Sequence, residues 1–225
     1  MSHIAIALPG VDRLTARRLA SIGRVKSFRR DELIFRQGEA IPFTIVLSGH
    51  AAFRRLTADG QVVTLGIAPP NYVIGFGSMS GLVSGVDLIG LTGGEFATWG
   101  GAEVRALAAD DPGFALDVID RLVEYLAILT EKVDGFLHQD SRRRVLRILA
   151  RHRDLFFGEP PVLSRSHLHG LVGTSREMTA RVLRNLEREG TVVRVGRTGL
   201  RLLRPERLEE LDEVNALARS QPRRR

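Results

Sequence analysis

The sequence predicts an α+β protein in which a β-rich N-terminal region, a long helix and a small C-terminal domain follow one another. Three observations support this fold class. Short apolar runs separated by turn residues fill positions 27–99, an unbroken helical periodicity fills 111–138, and two short helical patterns with a terminal hairpin fill 163–203. We therefore expect domains at 1–110, 111–138 and 139–225.

The N-terminal region predicts a short helix followed by a compact β-structure. The helix is expected over 12–22, and the apolar residues roughly on one side of it are Val11, Leu14, Leu19 and Ile22. Asp59-Gly60 predicts a tight hairpin, because type I′ turns need residues that tolerate positive φ. The strand-like runs, spaced as in a sandwich or barrel, are Leu33–Phe35, Phe43–Leu47, Ala52–Leu56, Val62–Ile67, Tyr72–Ile74, Leu88–Leu91 and Phe96–Trp99.

The long helix is expected to open at Asp111-Pro112 and to run to about Leu137. Its apolar residues form a heptad seam and a second line beside it, so the helix has two faces to bury. We expect one face on the β-domain and the other on the same helix of a second subunit, which makes a homodimer; packing within one subunit is the alternative. The seam consists of Ile119, Val123, Leu126, Thr130, Val133 and Leu137.

The positive charge is confined to the C-terminal part of the chain. Residues 1–138 hold 13 Lys and Arg against 15 Asp and Glu, whereas residues 139–225 hold 20 against 11. A local excess of this kind is the electrostatic footprint of a nucleic-acid-binding domain, although a solvated basic surface gives the same count. Part of the excess is a terminal basic tail, Arg223–Arg225.

Other features narrow the class of protein. The sequence has no cysteine, which excludes disulfides, thiolate zinc sites and cysteine-ligated iron–sulfur clusters. It shows neither a secretory signal nor an apolar run of the roughly 18–20 residues that span a bilayer, so we expect a cytoplasmic protein without membrane attachment. Asp87 and Glu95 are candidate acids, but metal-spaced histidines, a nucleophile elbow and a phosphate-loop pattern are missing, which argues against an enzyme.

The segment 163–203 predicts a winged helix-turn-helix. Ser164 can cap a first helix, Gly173 permits the tight turn, and Thr174 can cap a second helix that ends at Gly190. The buried line of the second helix is expected to be Met178, Val182, Leu183 and Leu186, and the wing strands are expected at 191–195 and 200–203. In this layout the second helix enters the major groove of double-stranded DNA.

The polar face of the second helix carries residues suited to reading bases. Arginine pairs with O6 and N7 of guanine, and glutamate accepts from N4 of cytosine. An amphipathic helix with solvated arginines is the alternative interpretation. The residues expected to meet the DNA backbone are Thr174, Ser175, Arg184, Arg188 and, on the first helix, Arg165.

These residues closely resemble the signature of the Crp/Fnr superfamily of transcription regulators. The DNA-domain match comprises Gly173–Glu177, Arg181, Leu183, Leu186-Glu187 and Glu189-Gly190; further matches are Ile34–Glu39, Val46–Gly49 and Thr130–Val133. The resemblance implies an N-terminal β-roll of the cyclic-nucleotide-binding type (a jelly roll), a dimerisation helix, and base reading by Arg176, Glu177 and Arg181. It also implies RNA polymerase as a partner. His169 departs from the pattern, because the family usually keeps a small residue there.

The effector cassette of the β-roll also departs from the family pattern. Phe76 stands where cyclic-nucleotide-binding members have a glutamate, and Ser84-Gly85 stand near the expected arginine and hydroxyl residue. Between Arg55 and Arg105 the sequence has no Lys or Arg. A phosphate in an apolar pocket without a cation is costly, so we expect neither cyclic AMP nor cyclic GMP to bind in the usual way.

Three interpretations of the effector pocket remain open, and we predict no cofactor. An unidentified apolar or weakly polar effector could bind near a set of six residues: Phe76, Met79, Leu88, Leu126, Leu129 and Thr130. Haem could bind with His50 or His138 as axial ligand. The pocket could also be empty. A ligand-sensing module that acts through a protein partner, with a DNA domain that no longer reads sequence, is the rival function.

Overall fold

The computed structural model describes residues 2–57 and 60–208, and the chain forms two compact units that divide within the long helix, between Glu131 and Lys132. Ala58 and Asp59 of the expected hairpin turn and the basic tail Arg223–Arg225 lie outside the described residues. Within them, no helix is long and apolar enough to cross a membrane.

The first unit begins with two helices and eight strands, most of them where the sequence predicts strands. The helices are α1 (Ser2–Ala7) and α2 (Arg13–Ile22). The strands are β1 (Arg24–Phe28), β2 (Leu33–Phe35), β3 (Phe43–Ser48), β4 (Ala51–Leu56), β5 (Val62–Ala68), β6 (Val73–Ile74), β7 (Asp87–Gly90) and β8 (Gly94–Trp99). A 3₁₀ helix spans Phe76–Ser80, and α1 and β1 were not expected from the sequence.

The eight strands form two antiparallel sheets, in the orders β1-β8-β3-β6 and β2-β7-β4-β5. Chain neighbours β3 and β4 lie in different sheets, as do β7 and β8, which is the crossing-over expected of a β-roll. β4 and β5 form the expected hairpin, with Leu56 opposite Val62. The predicted fold class is therefore confirmed in this unit.

An aromatic cluster around Phe43 fixes the helices on the first sheet. The Phe43 ring is fully buried and makes edge-on contacts with Trp99 and Phe114, at centroid distances of 6.1 and 6.3 Å. Trp99 Nε1 donates a hydrogen bond to the Leu19 carbonyl (2.8 Å), which fixes α2 on β8. The face of α2 that faces the core differs from the predicted one, because Leu14 is 71% exposed and the buried residues are Thr15, Ala16 and Leu19.

The remaining helices of this region are α3 (Gly101–Asp110) and the long helix α4 (Pro112–His138). Asp111 starts α4, because its Oδ1 accepts from the N–H groups of Gly113 and Phe114. A hydrogen bond from the Thr15 hydroxyl, followed by these backbone hydrogen bonds, lowers the pKa of Asp111 although burial opposes the shift. Asp117 in the second turn accepts the Gly10 N–H with both carboxylate oxygens, which ties the N-terminal segment to α4.

Between residues 139 and 204, which the structure describes, the second unit has four helices and a hairpin. They are α5 (Ser141–Arg151), α6 (Arg153–Phe157), α7 (Arg165–Val172), α8 (Arg176–Arg188), β9 (Val192–Val195) and β10 (Gly199–Leu202). α5 packs against α7 and α8, and β9 pairs with β10 in an antiparallel hairpin with Val192 opposite Leu202. α7, α8 and the hairpin make the predicted winged helix-turn-helix. The sequence pattern predicts one helix from Ser141 to the break at Gly158, and the structure divides this segment into α5 and α6.

Candidate nucleic-acid interface

The turn between α7 and α8 is built on a left-handed glycine. Gly173 has φ +68° and ψ 50°, a conformation that glycine adopts without steric cost. The Thr174 N–H donates to the His169 carbonyl at 3.0 Å, which closes the turn. The helix N-cap is Ser175, whose Oγ accepts from the Met178 N–H at 3.1 Å. The expectation that Thr174 caps α8 was therefore wrong, because Thr174 still belongs to the turn.

The buried side of α8 anchors the helix in the domain core. Val182, Leu183 and Leu186 are buried as predicted. Met178 is only half-buried, and Thr179 is buried instead. Thr179 can be buried because its hydroxyl donates to the Ser175 carbonyl at 3.0 Å, which satisfies the polar group.

The opposite side of α8 presents charged residues to the exterior. Arg176 Nε lies 3.5 Å from His169 Nε2, and an Arg181 guanidinium nitrogen lies 2.9 Å from the Met178 sulfur. The exposed residues of this face, in helical order, are Ser175, Arg176, Glu177, Arg181, Arg184 and Arg188. The side chains that the sequence predicts as base readers thus share one accessible face.

The wing is attached to both helices of the motif. Glu187 on α8 forms an ion pair with Arg194 on β9, with contacts of 2.6 and 2.7 Å. Hydrogen bonds from the Arg194 side chain and backbone lower the pKa of the Glu187 carboxyl. On α7, the Arg165 guanidinium donates to the carbonyls of Gly196 and Arg197 at the wing turn. Sequence patterning did not predict these contacts.

The basic excess lies on the described, folded part of this unit. Residues 139–208 hold 16 Arg and no Lys against seven Asp and Glu, a net charge of +9. Residues 209–225 hold four Arg and four acidic residues, so the tail does not add to the net charge. Arg197 at the exposed wing turn is a further cation to which sequence patterning assigned no role.

Two polar groups of the β-roll cassette, Ser84 and Asp87, are hydrogen-bonded within the unit, whereas the buried Ser78 hydroxyl has no hydrogen-bond partner among the described residues. Phe76, at the glutamate position, packs edge-on against Phe43 with a centroid distance of 6.0 Å. The Ser84 hydroxyl donates to the Val86 carbonyl of its own loop. Asp87, the candidate acid, accepts the Gln37 N–H at 2.7 Å. These groups are therefore engaged in holding the loop.

The six residues expected around an effector are distributed over different surroundings. Phe76 and Met79 pack on the core cluster that contains Phe43 and Trp99, whereas Leu88 belongs to a second cluster inside the roll. The three residues from α4 are exposed in the single chain: Leu126, Leu129 and Thr130. An effector pocket among them stays a prediction.

The candidate haem ligands have different environments. His50 is half-buried at the turn between β3 and β4, and burial lowers its pKa. His138 ends α4, is exposed, and lies 3.8 Å from an Asp134 oxygen. Among the residues that the structure describes, no group of three or more His, Cys, Asp or Glu is arranged to hold a metal ion.

The long helix exposes nearly all of its apolar side chains over its central turns. In the single chain Leu126 is 63% exposed, although it is an apolar residue of the heptad seam. The seam residues Ile119, Val123, Val133 and Leu137 are exposed as well, and so are Leu116, Leu122, Tyr125 and Leu129. A helix exposed in this way has an apolar surface without a partner in the described residues of the chain.

Comparison with known proteins identifies the domain and the fold. Residues 120–211 match the family of Crp-like helix-turn-helix domains. A comparison with curated proteins finds no match. Three solved structures align with most of this chain, and the alignments include nearly the full length of those proteins. They are FixK2 from Bradyrhizobium japonicum (20% identity, 84% of this chain, 97% of that chain, TM-score 0.69), the regulator CLP from Xanthomonas campestris (24%, 86%, 100%, 0.71), and a CRP-family transcriptional regulator from Thermus thermophilus (21%, 84%, 96%, 0.66).

The predicted resemblance is thereby confirmed. The helix-turn-helix domain is of the Crp type, and the β-rich unit, long helix and C-terminal domain together have the fold of Crp/Fnr regulators. Identities below 25% to the solved structures establish that fold and no particular ligand.

Proposed function

We propose, from the premise that residues 120–211 form a Crp-like helix-turn-helix domain, that this protein is a sequence-specific DNA-binding transcription regulator and not an enzyme. One observation carries the proposal: the exposed face of α8 aligns four arginines and a glutamate beyond a helix turn of the right geometry. A helix face that only kept the protein soluble would not need these charged residues on one side of the helix that follows the turn.

The two ends of α8 have different roles. Arg176 and Glu177 in the first turn and Arg181 in the second reach the base edges, because the N-terminal residues of a recognition helix enter the major groove. Arg184 and Arg188 lie further along and meet phosphates. Backbone N–H groups at the start of α8, with Thr174 and Ser175, provide an anion site for another phosphate. Arg165 meets the DNA backbone near the wing turn, where its guanidinium donates to the carbonyls of Gly196 and Arg197.

The active species is a homodimer paired through α4. Burying the exposed seam in a second copy removes apolar surface from water, at about 25 cal/mol per Å². The pairing presents two α8 helices to successive major grooves, so the operator is a near-palindrome with half-sites roughly 34 Å apart. RNA polymerase is the partner that the family resemblance suggests for such a regulator.

Selection from a random-sequence duplex pool tests this function. The purified protein should enrich a near-palindromic site, and footprinting should show two protected half-sites one helical turn apart. The affinity should fall steeply with salt, because phosphate contacts release counterions. Failure to retain any duplex at low ionic strength would contradict the proposal, as would a retained duplex with no sequence in common.

The effector of this regulator is not cyclic AMP or cyclic GMP bound in the usual way. In the β-roll the glutamate position holds Phe76 against Phe43, and the Ser84 hydroxyl is bonded within its own loop. The cassette itself supplies no Lys or Arg to pair with a phosphate placed there. Titration calorimetry with both nucleotides should detect no micromolar binding. The same titration is made with cyclic di-GMP, to which the Xanthomonas neighbour responds.

Three alternatives remain for the sensor domain. It binds haem, it binds an apolar ligand, or its pocket is empty and the dimer is always able to bind DNA. A Soret band in the purified protein would support haem, with His50 or His138 as ligand. A rival function, a sensor that acts through a protein partner with an inert DNA domain, predicts no shift of the protein's own promoter region in an electrophoretic assay. The accessible base-reading face favours the DNA-binding function over this rival.

A further inference from the structure

His169 occupies a special place in the helix-turn-helix. It lies in the last turn of α7, its carbonyl accepts the Thr174 N–H that closes the turn, and its half-buried ring faces the first residue of α8. Arg176, at that first position, is the residue assigned to base reading. The ring therefore lies directly behind a recognition side chain.

The surroundings of the His169 ring favour one neutral tautomer. One ring nitrogen, Nε2, accepts from Arg176 Nε at 3.5 Å. The ring also bonds to the Ser166 carbonyl one turn earlier, an interaction that favours a proton on the nitrogen involved. The neutral ring with Nδ1–H directed at Ser166 and the Nε2 lone pair directed at Arg176 satisfies both contacts.

The contact with His169 holds the Arg176 guanidinium through Nε and does not involve its two terminal nitrogens. A length of 3.5 Å makes this a long hydrogen bond, which restricts the orientation of the side chain more than it adds stability. Among the described residues, the two terminal nitrogens of Arg176 have no hydrogen-bond partner. Those two nitrogens form the fork that pairs with O6 and N7 of guanine.

We propose that His169 is a positioning residue for base reading. Its neutral ring accepts the hydrogen bond of Arg176 Nε, so that the two terminal nitrogens of the guanidinium remain available to pair with guanine. The inference rests on the proposed function and deepens it, because it assigns a role to a residue that the family pattern does not account for. A protonated His169 ring cannot accept this hydrogen bond and places a second cation beside Arg176.

Burial, with a neighbouring positive charge, makes the neutral form of the ring dominant near neutral pH. Burial first, and the positive charge of Arg176 second, lower the pKa of His169 below 6.5, while the Ser166 contact opposes them. Some of the other charged groups on the elements packed around it have partners of their own: His167 at Ser164, Arg165 at the wing carbonyls, Glu187 at Arg194, and Arg142 of α5 at Glu189. The remaining charged residues of these elements are Arg143, Arg144, Arg147 and Arg151 on α5, and Glu177, Arg181, Arg184 and Arg188 on α8. Arg176 is the charge that acts on the ring.

Acidification should therefore reduce sequence discrimination while leaving phosphate binding intact. The readout is a discrimination ratio: the dissociation constant for the selected duplex with the contacted guanine replaced, divided by the dissociation constant for the duplex selected by the wild-type protein. Between about pH 8 and about pH 5, where imidazoles titrate, the ratio should fall roughly two- to tenfold per half-site, the range of one net hydrogen bond. The affinity for random duplex should not fall with it.

Three variants separate positioning from structure. His169→Ala should have the low ratio at both pH values, and His169→Gln, whose amide oxygen accepts but does not titrate, should restore discrimination without the pH dependence. His169→Ala in an Arg176→Ala background should cause no further loss of the ratio. Far-UV circular dichroism checks that each variant is folded. A His169→Ala protein with the wild-type ratio, or with the wild-type pH profile, would overturn the inference.

A measurement without DNA separates failure of this inference from failure of the proposed function. In NMR titrations the His169 ring, assigned by its loss in His169→Gln, should have a higher pKa in Arg176→Gln, since a neighbouring cation is removed; His50 is the internal control. An unchanged pKa of His169 would refute the contact even if DNA binding is strong. A raised pKa with no duplex retained would support the contact but contradict base reading.

Discussion

Replacing Arg176 by alanine tests how the recognition helix divides its contacts. Arg176 is the first residue of α8, and Arg184 lies eight residues further, about 12 Å along the axis at 1.5 Å per residue. A bidentate arginine–guanine pair contributes about 1–3 kcal/mol of discrimination. A symmetric operator uses the pair twice, so Arg176→Ala should lose about 2–6 kcal/mol, or roughly 30- to 20,000-fold, in affinity for that operator.

The matched control is Arg184→Ala, which removes one exposed arginine from the same helix face. Because Arg184 is assigned to phosphate, this variant should lose affinity uniformly on specific and random duplex, and the salt slope should fall by about one per subunit. Fluorescence anisotropy with the selected operator, a version lacking one guanine, and random duplex measures all three quantities. Equal losses on specific and random duplex for Arg176→Ala would refute the assignment of this residue to a base.

Three further predictions concern the dimer and the two folded units. Leu126→Glu should give a monomer in sedimentation experiments and weaken operator binding, whereas Leu14→Glu, at a similarly exposed position on α2, should remain dimeric; a dimeric Leu126→Glu protein would disprove the seam. Gly75→Ala should lower the melting temperature far more than Gly81→Ala, since both have positive φ but a Cβ on Gly75 would lie 2.1 Å from the Pro42 carbonyl oxygen and one on Gly81 would meet nothing within 4 Å. Glu187→Gln should flatten the acid side of the stability profile: the lowered pKa of Glu187 means that its ion pair stabilises the fold above the ordinary value of 4.5 and is lost as pH falls through the folded value. Chemical denaturation between neutral and acidic pH measures this, and an unchanged profile would contradict it.

The helix-turn-helix was predictable from sequence because its signals are local. Gly173 specifies a left-handed turn, Ser164 begins the first helix, and the 3.6-residue periodicity fixes which side of α8 is buried. The errors are one residue in size: Ser175 caps α8 in place of Thr174, and Thr179 is buried in place of Met178. Both reflect hydroxyl hydrogen bonds to nearby backbone groups, which apolar periodicity does not register.

The parts that sequence missed depend on distant partners. β1 carries Arg24 and Lys26 and is exposed along most of its length, so its identity as a strand comes from pairing with β8, about 70 residues away along the chain. The core-facing side of α2 is set by Trp99, which bonds to the Leu19 carbonyl and leaves Leu14 outside. Neither effect has a signature in a local window.

The attachments of the wing affect how the domain meets DNA. With Glu187 joined to Arg194 and Arg165 joined to the wing turn, α7, α8 and the hairpin are held in one arrangement before any duplex arrives. Little conformational freedom is then left to lose on docking, so more of the contact energy is available as affinity. The same contacts imply that a change in the wing would also disturb the orientation of α8, although the wing lies outside the recognition helix.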